Sequence, residues 1–298
     1  MPAYARTKGV IVIEGHEITI TNPDKPLWPK QGITKAMYLE KLALLAPYLL
    51  PYCRNRHLTT IRYPHGEGDK SFYQKNCPEP APAFVRTAQL DGINYVVLDS
   101  LPTLLWLGNL ACLEFHPSLH YIGETLPAEW LIDIDPSVDP EPRIMEAAQL
   151  VGEVLDSLGI QSIAKTSGAT GVQIWVPLDK TQGYTFEQLR RIGQLICRYL
   201  TAKHPHIFTL ERMTKNRGSL IYLDYMQHWY GKTLAAPYTP RAKPFATVST
   251  PLEWAEVALR PDLREFNLLT VTERLLHKGD LIAAVPPQRL DAVLDAIR

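Results

Sequence analysis

The sequence lacks several features that would assign it to a specialised class of protein. It has no run of 18 apolar residues, so no transmembrane helix is expected. Residues 1–15 contain no apolar segment followed by small residues, so we expect no signal peptide. The four cysteines lie far apart and fit neither a zinc spacing nor a dense disulfide framework. These absences together predict a reduced, cytosolic protein.

The chain also lacks a net charge, because 31 Lys and Arg balance 31 Asp and Glu. Neutrality by itself argues against a partner that is a polyanion, but the charges are unevenly distributed. Residues 124–156 hold nine acids and one arginine, whereas residues 203–243 hold seven basic residues and two acids. We therefore expect an acidic centre and, elsewhere in the chain, a basic face for a polyanion.

The most informative feature that is present is Asp133-Ile134-Asp135, inside the apolar segment from Trp130 to Pro136. Large apolar residues around two acids, ended by a proline, predict a buried strand. Residues two apart on a strand share a face, so both carboxylates project together. Their repulsion favours a cation between them, and oxygen ligands suit Mg²⁺ or Mn²⁺. A strand end with two solvated acids is the alternative.

A third acid, Asp224, lies within the apolar segment 220–225, where an unpaired carboxylate is costly. We predict that it completes a three-carboxylate site with Asp133 and Asp135. Polar residues suited to phosphates or a sugar hydroxyl occur on both sides of Asp224, with solvated surface residues as the alternative reading. These residues are Arg217, Gln227 and Arg241.

The segment Ser167-Gly168-Ala169-Thr170-Gly171 joins two predicted strands. Glycine allows backbone amides to turn toward an anion, and the two hydroxyls add donors, so a phosphate cradle is one interpretation and a hairpin turn the other. No Gly-Lys-Ser/Thr follows, so it is not a Walker A loop. Two further positions have alternative readings: a lone His116 is more often structural than functional, and Phe72-Tyr73 is by default core and otherwise a platform for a base.

Strands and helices alternate along the chain, which predicts an α/β or α+β fold. The series strand, helix, strand, loop, strand from 130 to 177 indicates a catalytic module, so we divide the chain at about residue 120 into an N-terminal module (1–120) and a catalytic module (121–298). The predicted helices span approximately 35–51, 103–113, 142–158, 185–200, 251–258 and 287–297, and a hairpin spans 9–20.

Together these residues resemble the polymerase domain of bacterial ligase D, which belongs to the archaeo-eukaryotic primase superfamily and acts in non-homologous end joining. The resemblance implies a primase-polymerase fold, in which an RRM-like catalytic sheet module packs against an N-terminal α/β module. The similar segments begin with Thr21 to Pro29 and Gly32 to Lys35, continue with Arg62-Tyr63-Pro64, Ser71 to Lys75 and Glu114 to Pro117, and include the three acids and the Ser167–Gly171 loop.

The resemblance also implies roles for individual residues. Asp133, Asp135 and Asp224 are expected to be catalytic and to hold two ions, Mn²⁺ or Mg²⁺. Lys25 and Lys35 are expected to bind a DNA 5′-phosphate. The expected nucleotide-binding residues are His116, Ser167, Gly168, Thr170, Gln173, Arg217, Gln227, Arg241, Phe72 and Tyr73. The family loop often reads Ser-Gly-x-Lys-Gly-x-His, and here Thr170 and Gln173 replace its lysine and histidine.

The expected function is therefore template-directed extension of primer 3′-hydroxyls at DNA gaps or breaks from nucleoside triphosphates, with ribonucleotides favoured, during double-strand break repair. Expected partners are DNA, Ku and a DNA ligase, with no membrane, and the expected location is the cytoplasm near the nucleoid. Two alternatives stay open at this point. One is a haloacid-dehalogenase-type phosphatase, since Asp-x-Asp follows an apolar strand. The other is a catalytically weak module that binds DNA ends.

Overall fold

The computed structural model describes residues 8–297 of the chain. In this range no helix is both long enough and apolar enough to cross a bilayer. The helices are α1 (Lys35–Cys53), α2 (Leu101–Asn109), α3 (Ile144–Ser157), α4 (Phe186–Lys203), α5 (Trp254–Ala258), α6 (Val271–Lys278) and α7 (Asp291–Ala296).

The strands alternate with these helices and vary from two to seven residues in length. They are β1 (Lys8–Ile13), β2 (His16–Thr21), β3 (Pro26–Trp28), β4 (Ile33–Thr34), β5 (Leu58–Arg62), β6 (Phe72–Gln74), β7 (Arg86–Leu90), β8 (Ile93–Val97), β9 (Cys112–Pro117), β10 (Glu129–Asp135), β11 (Ile163–Thr166), β12 (Val172–Pro177), β13 (Phe208–Thr209), β14 (Ile221–Asp224) and β15 (Pro251–Leu252).

The chain folds as two compact units that exchange segments. Unit 1 consists of residues 1–118, 233–249 and 266–277, and unit 2 consists of residues 119–232, 250–265 and 278–298. The first boundary lies two residues from the division predicted at residue 120. The two later segments of unit 1 were assigned from the sequence to the catalytic module, because no composition change marks them.

Unit 1 is built on a mixed core around α1 and α2. Its main sheet has the strand order β6-β5-β8-β7, with β9 pairing antiparallel to β5. The helix α1 begins at Lys35 because the Thr34 hydroxyl accepts a hydrogen bond from the Met37 amide. The later segments of unit 1 contribute Ala236, Tyr238 and Val248 to the same core.

Unit 2 contains the six-stranded sheet β13-β14-β10-β12-β11-β15. The central strand β10 is antiparallel to both of its neighbours, β12 and β14. Alternate residues of β10, such as Ile132 and Ile134, are fully buried and project to one face, so Asp133 and Asp135 project to the other. Helix α3 packs on β10, β11 and β12. Helix α4 begins with a capping box between Thr185 and Gln188.

Two of the differences from the sequence-based expectation concern helices. The helix predicted to run to 113 ends at Asn109, because Ala111 takes a left-handed conformation with φ 59° and the chain continues as β9. His116 therefore lies on a strand. The helix α6 was not predicted, since it has only eight residues. The predicted hairpin, with its turn at Glu14-Gly15, is present as β1 and β2.

Candidate active site

Two adjacent strands of unit 2, β10 and β14, carry the three acids of the candidate site. Asp133 on β10 lies directly opposite Asp224 on β14, and Asp135 lies opposite Tyr222. Directly paired residues of antiparallel strands point to the same face with Cβ atoms about 5 Å apart. The strand register therefore brings Asp133, Asp135 and Asp224 together, as the sequence predicts for a three-carboxylate cluster.

The surroundings of the two carboxyl groups on β10 disfavour their ionised, negatively charged form. Burial raises the pKa of Asp133 well above its ordinary value of 3.8, and the charges of Asp135 and Asp224 raise it further. Burial and the charge of Asp224 also raise the pKa of Asp135, whereas Arg217 opposes this rise. Such mutual repulsion is relieved when a cation binds between the carboxylates.

The Asp224 carboxylate is fixed by the turn that follows β14. Its Oδ1 atom accepts hydrogen bonds from the amides of Met226 at 3.0 Å and Gln227 at 2.9 Å. This arrangement is local in the chain and typical of aspartate at the end of a strand. These local hydrogen bonds orient the Asp224 carboxylate, and they place the Gln227 backbone beside it.

The fit of a metal ion can be judged from the donor atoms present. Within residues 8–297, no three His, Cys, Asp or Glu side chains form a ready-made metal cage. However, Mg²⁺ is usually bound by one or two carboxylates together with substrate phosphates, rather than by a cage made of protein alone. The buried Oδ1 atom of Asp133 has no hydrogen-bond partner. An orphaned carboxylate oxygen beside two further acids fits a hard divalent cation.

The loop between β11 and β12 is closed on itself. The Ser167 hydroxyl accepts hydrogen bonds from the amides of Ala169 and Gly171, both at 3.1 Å, and the Ser167 amide donates to the Gly171 carbonyl. Two amides that were expected to face an anion therefore face Ser167. The role of Gly168 and Thr170 as phosphate contacts stays a prediction, and Thr170 is half-buried in the loop.

Gly171 brings this loop against β10, the strand that carries Asp133 and Asp135. A Cβ atom at Gly171 would lie 2.5 Å from the Ile134 carbonyl oxygen and 3.3 Å from Asp135 Oδ1. No side chain fits at that distance without moving β10. The glycine that the sequence suggested for a phosphate cradle is therefore required for close packing of the loop on the carboxylate strand.

Arg217 lies beside the acids but is anchored by backbone carbonyls. Its guanidinium donates to the carbonyls of Glu211 and Arg212 and stacks 4.0 Å from the ring centre of Tyr222. Stacking and hydrogen bonds to carbonyls involve neutral groups and leave the positive charge of Arg217 free to act on Asp135. It is thus a suitable counter-charge for a phosphate near Asp135.

In unit 1, a buried glutamate that sequence reasoning did not single out holds two of the predicted residues. Glu114 is 2% exposed, and its Oε2 atom lies 3.0 Å from His116 Nε2 and 2.8 Å from Arg241 Nε. Its Oε1 atom accepts from the Ala242 amide and from the Tyr63 hydroxyl. The only signal in the sequence was a charged residue inside the apolar segment that precedes His116.

The electrostatics of Glu114 follow from these contacts. Burial raises the pKa of its carboxyl, but the hydrogen bond from His116 and the charge of Arg241 outweigh burial and lower the pKa from 4.5 to about 2. Glu114 is therefore ionised at any physiological pH. It orients His116 and Arg241, whose roles as nucleotide contacts stay predictions.

The two lysines expected at a DNA phosphate occupy different environments in unit 1. Lys35 is 4% exposed, and its ammonium donates to the carbonyls of Thr21 at 2.7 Å and Asn109 at 2.9 Å. Burial and the nearby charge of Lys25 lower its pKa to about 8. Lys25 is half-buried and donates to the Pro64 carbonyl. Lys25 is thus the more accessible of the pair, and the phosphate role of both stays a prediction.

The aromatic pair expected to stack on a base lies on the edge strand β6. Phe72 is 45% exposed and Tyr73 is 73% exposed, so neither is a core residue. Arg62 lies 5.3 Å from the Phe72 ring centre. The core interpretation is therefore wrong for both rings, and the platform interpretation stays a prediction.

The arrangement of the sheet removes one alternative. A haloacid-dehalogenase-type phosphatase places its Asp-x-Asp motif at the end of the first strand of a doubly wound parallel sheet. Here β10 is antiparallel to both neighbours, and it is preceded by unit 1 rather than opening the fold. The phosphatase interpretation is therefore wrong for this chain.

Comparison with known proteins gives concordant results. The family model for the LigD primase-polymerase domain matches residues 34–282. The Bifunctional non-homologous end joining protein LigD of Bacillus subtilis is 41% identical over 266 residues, which are 88% of this chain and 43% of that protein. The Multifunctional non-homologous end joining DNA repair protein LigD of Mycobacterium tuberculosis is 30% identical over 293 residues, 92% of this chain and 37% of that protein.

A solved structure shares the fold. The polymerase domain from Mycobacterium tuberculosis ligase D, determined in complex with DNA, aligns with a TM-score of 0.82 and 26% identity over 90% of this chain and 97% of that chain. The predicted mixed α/β, primase-polymerase fold is thereby confirmed. The chain spans less than half the length of the curated relatives that it matches. From the family match and the 41% identity we conclude that the chain belongs to the LigD primase-polymerase domain family, and is a polymerase of the metal-dependent nucleotidyltransferase class.

Proposed function

We propose that the chain extends primer 3′-hydroxyls at DNA gaps or breaks during repair of double-strand breaks by end joining. The single observation that carries this proposal is the register of β10 and β14, which sets Asp133 opposite Asp224 with Asp135 on the same face. Relatives named as end-joining proteins and a neighbour solved with DNA support the same substrate.

The chemistry assigned to unit 2 follows from its side chains. Asp133, Asp135 and Asp224 would hold two divalent ions, Mn²⁺ or Mg²⁺. When bound, such ions lower the pKa of an attacking hydroxyl and neutralise charge on phosphate oxygens. The turn amides after β14 keep Asp224 aimed at the site, while Arg217 supplies a fixed positive charge for the phosphate next to Asp135.

The preference among nucleotides is also part of the proposal. Gln227 follows Asp224 by three residues, and its backbone amide is bound to that carboxylate. The amide side chain of Gln227 is suited to the 2′-hydroxyl of a ribonucleotide, which can both donate and accept a hydrogen bond. We therefore propose that the chain favours ribonucleotides over deoxyribonucleotides.

The partners follow from the substrate. Gapped or broken DNA with a 5′-phosphate, nucleoside triphosphates, Ku and a DNA ligase are the proposed partners. Chromosomal breaks as the substrate would place the chain in the cytoplasm, at the nucleoid. Half-buried Lys25 is the proposed anchor for the 5′-phosphate, with Lys35 close behind it.

One assay tests the proposed function. The chain is incubated with Mn²⁺, a labelled duplex that carries a one-nucleotide gap with a 5′-phosphate, and either ribonucleotides or deoxyribonucleotides. We expect template-directed extension, with more from ribonucleotides. Binding of the gapped duplex without any extension would instead support an end-binding module, in which Thr170 and Gln173 have removed turnover. Equal extension from both nucleotides would reject only the proposed preference.

A further inference from the structure

The row of acids in unit 2 continues onto two further strands. Gln173 on β12 lies opposite Asp133, and Lys165 on β11 lies opposite Gln173. The four side chains of Asp224, Asp133, Gln173 and Lys165 therefore share one face across four adjacent strands, with about 4.8 Å between neighbouring strands. The row runs from carboxylates at one end to an ammonium at the other.

Lys165 is an unusual residue to find at this position. It is 0% exposed, and its ammonium donates to Gln173 Oε1 at 2.5 Å and to the Thr166 carbonyl at 3.5 Å. Desolvation of an ammonium is expensive unless nearby charge compensates it. The acids two and three strands away are the negative charges of this row, and the charge of Lys165 acts on Asp133.

The donors and acceptors fix the direction of the contacts along this row. A lysine ammonium can only donate, so the amide oxygen of Gln173 must face Lys165. The NH₂ group of Gln173 consequently faces Asp133, and its hydrogen bond holds the Asp133 carboxylate. The other carboxylate oxygen, Oδ1, is buried and has no partner. One oxygen of Asp133 is thus held by Gln173, and the second is left for a cation.

We propose that Lys165 is a positioning residue of the polymerase reaction, which sets the orientation of the Asp133 carboxylate through Gln173 and tempers the negative charge of the carboxylate site. The proposal rests on the proposed function, in which the three acids bind divalent cations. Neither member of the pair needs to touch substrate for this role. It also accounts for Gln173, which is 3% exposed and whose amide is engaged on both sides.

The test separates the charge of Lys165 from the hydrogen bond of Gln173. Lys165→Met keeps the length and apolar stem of the side chain and removes the charge and the donors. Gln173→Leu keeps the shape and breaks the link but leaves the charge. Lys180→Met, at an exposed lysine of the same unit, is the control. Mn²⁺ binding to each metal-free protein is measured from the paramagnetic resonance signal of free Mn²⁺, and kcat and KM from gap extension.

Two different signatures are expected. Lys165→Met should bind Mn²⁺ about tenfold more tightly, because a buried positive charge near the ion is lost, and should lower kcat about tenfold with little change in the KM for nucleotide. Gln173→Leu should lower kcat to a similar extent without tightening Mn²⁺. The double variant should lose no more kcat than either single variant, since both changes break one link. The control should match the parent chain.

The outcomes that would overturn the proposal are distinct from those that would overturn the proposed function. Unchanged or weaker Mn²⁺ binding by Lys165→Met, or losses of kcat that multiply in the double variant, would show that Lys165 is only a packing residue. If the parent chain binds Mn²⁺ no better than its Asp135→Asn variant, the acids are not the cation site, and the proposed function fails instead. A variant that does not fold is replaced by Lys165→Gln, which is subject to the same comparison.

Discussion

At the scale of the single residue, Asp135 combines two opposing properties. It is expected to be essential for catalysis, yet its burial next to Asp224 raises its pKa and destabilises the metal-free protein. A group with a raised pKa in the folded state makes the protein less stable as the pH rises above about 3.8. Changes at this position should therefore improve stability and abolish activity at once.

The first prediction follows from this opposition. Asp135→Asn should lower gap extension at least about 100-fold, and in EDTA at pH 7.5 it should raise Tm by about 2 °C or more. Extension assays and calorimetry measure the two effects, with the exposed Asp156→Asn as the matched control. Extension near the level of the parent chain would remove Asp135 from the catalytic set.

In contrast to Asp135, the ionised carboxyl group of Glu114 stabilises the folded protein. Its folded-state pKa of about 2 lies below the ordinary 4.5, so the stabilisation is complete above pH 4.5 and is lost as the pH falls toward 2. The second prediction is that Glu114→Gln lowers the free energy of unfolding at pH 7 by about 3 kcal/mol, because Arg241 and His116 keep no ionised partner there.

Urea unfolding at pH 7 and at pH 2.5 checks this prediction, with the exposed Glu40→Gln as the control from the same unit. The difference between Glu114→Gln and the parent chain should be smaller at pH 2.5 than at pH 7. A difference that does not depend on pH would mean that Glu114 contributes by shape alone. Because Glu114 orients both predicted nucleotide contacts, the KM for nucleotide should rise in the same variant.

The third prediction concerns the proposed DNA anchor. Lys25→Ala should remove the preference for a gap with a 5′-phosphate and reduce the dependence of log K on log salt by about 1. Lys35 is unsuitable for the same test, since its buried ammonium holds the Thr21 and Asn109 carbonyls and its loss would destabilise unit 1. Lys30→Ala, at an exposed neighbour, should keep the preference. Binding measured on gaps with and without the phosphate decides between these outcomes.

At the scale of the element, the packing of the β11–β12 loop against β10 gives the fourth prediction. Gly171→Ala should displace the Asp135 strand, because its Cβ would lie 2.5 Å from the Ile134 carbonyl. We expect a loss of about 1–3 kcal/mol in stability and a larger relative loss in extension. Gly9→Ala, where a Cβ meets nothing within 4 Å, is the matched control. Chemical unfolding and extension assays measure both variants.

The same scale shows which elements the sequence could reveal. The Asp-x-Asp strand, the hairpin at Glu14-Gly15 and the helix capped by Thr34 have strong local signals, and the structure contains all three. The strand β9 was missed because it directly follows an apolar helix with only a short turn at Ala111 between them. Its apolar residues continue the pattern of the helix, and periodicity alone cannot separate the two.

The candidate site, like the set of elements, was predictable only in part. Residues two apart on one strand share a face by geometry, so the proximity of Asp133 and Asp135 needed no tertiary information. The pairing of Asp133 with Asp224 depends on the register between strands whose paired residues lie 91 positions apart in the chain, and only the structure supplies it. The contacts of Glu114 and Lys165 were likewise invisible, because a buried charge is recognised by its surroundings.

At the scale of the whole molecule, the exchange of segments between the units determines where the chain can be truncated without exposing the core of a unit. Unit 1 needs residues 233–249 and 266–277, which provide Tyr238 and Leu275 to its core, and the carbonyl of Phe115 accepts a hydrogen bond from the Ala236 amide. A fragment that ends at residue 120 would expose that core and leave β9 without these partners.

The fifth prediction is that fragment 1–120 does not fold alone. Circular dichroism during heating should show no cooperative transition for the fragment, in contrast to the full chain. A mixture of the fragment with residues 121–298 should recover some of the signal, because the missing segments are then present. A sharp transition in fragment 1–120 alone would mean that the later segments are dispensable for unit 1.

The interlaced path of the chain also matters during synthesis. A protein with consecutive domains can fold the first one while the ribosome is still making the next. Here unit 1 is complete only when His277 has been made, and unit 2 requires the segment beyond it. Neither unit can therefore finish folding until the segments around and beyond His277 have left the exit tunnel, and the apolar surface of the early segments must stay shielded from aggregation until then.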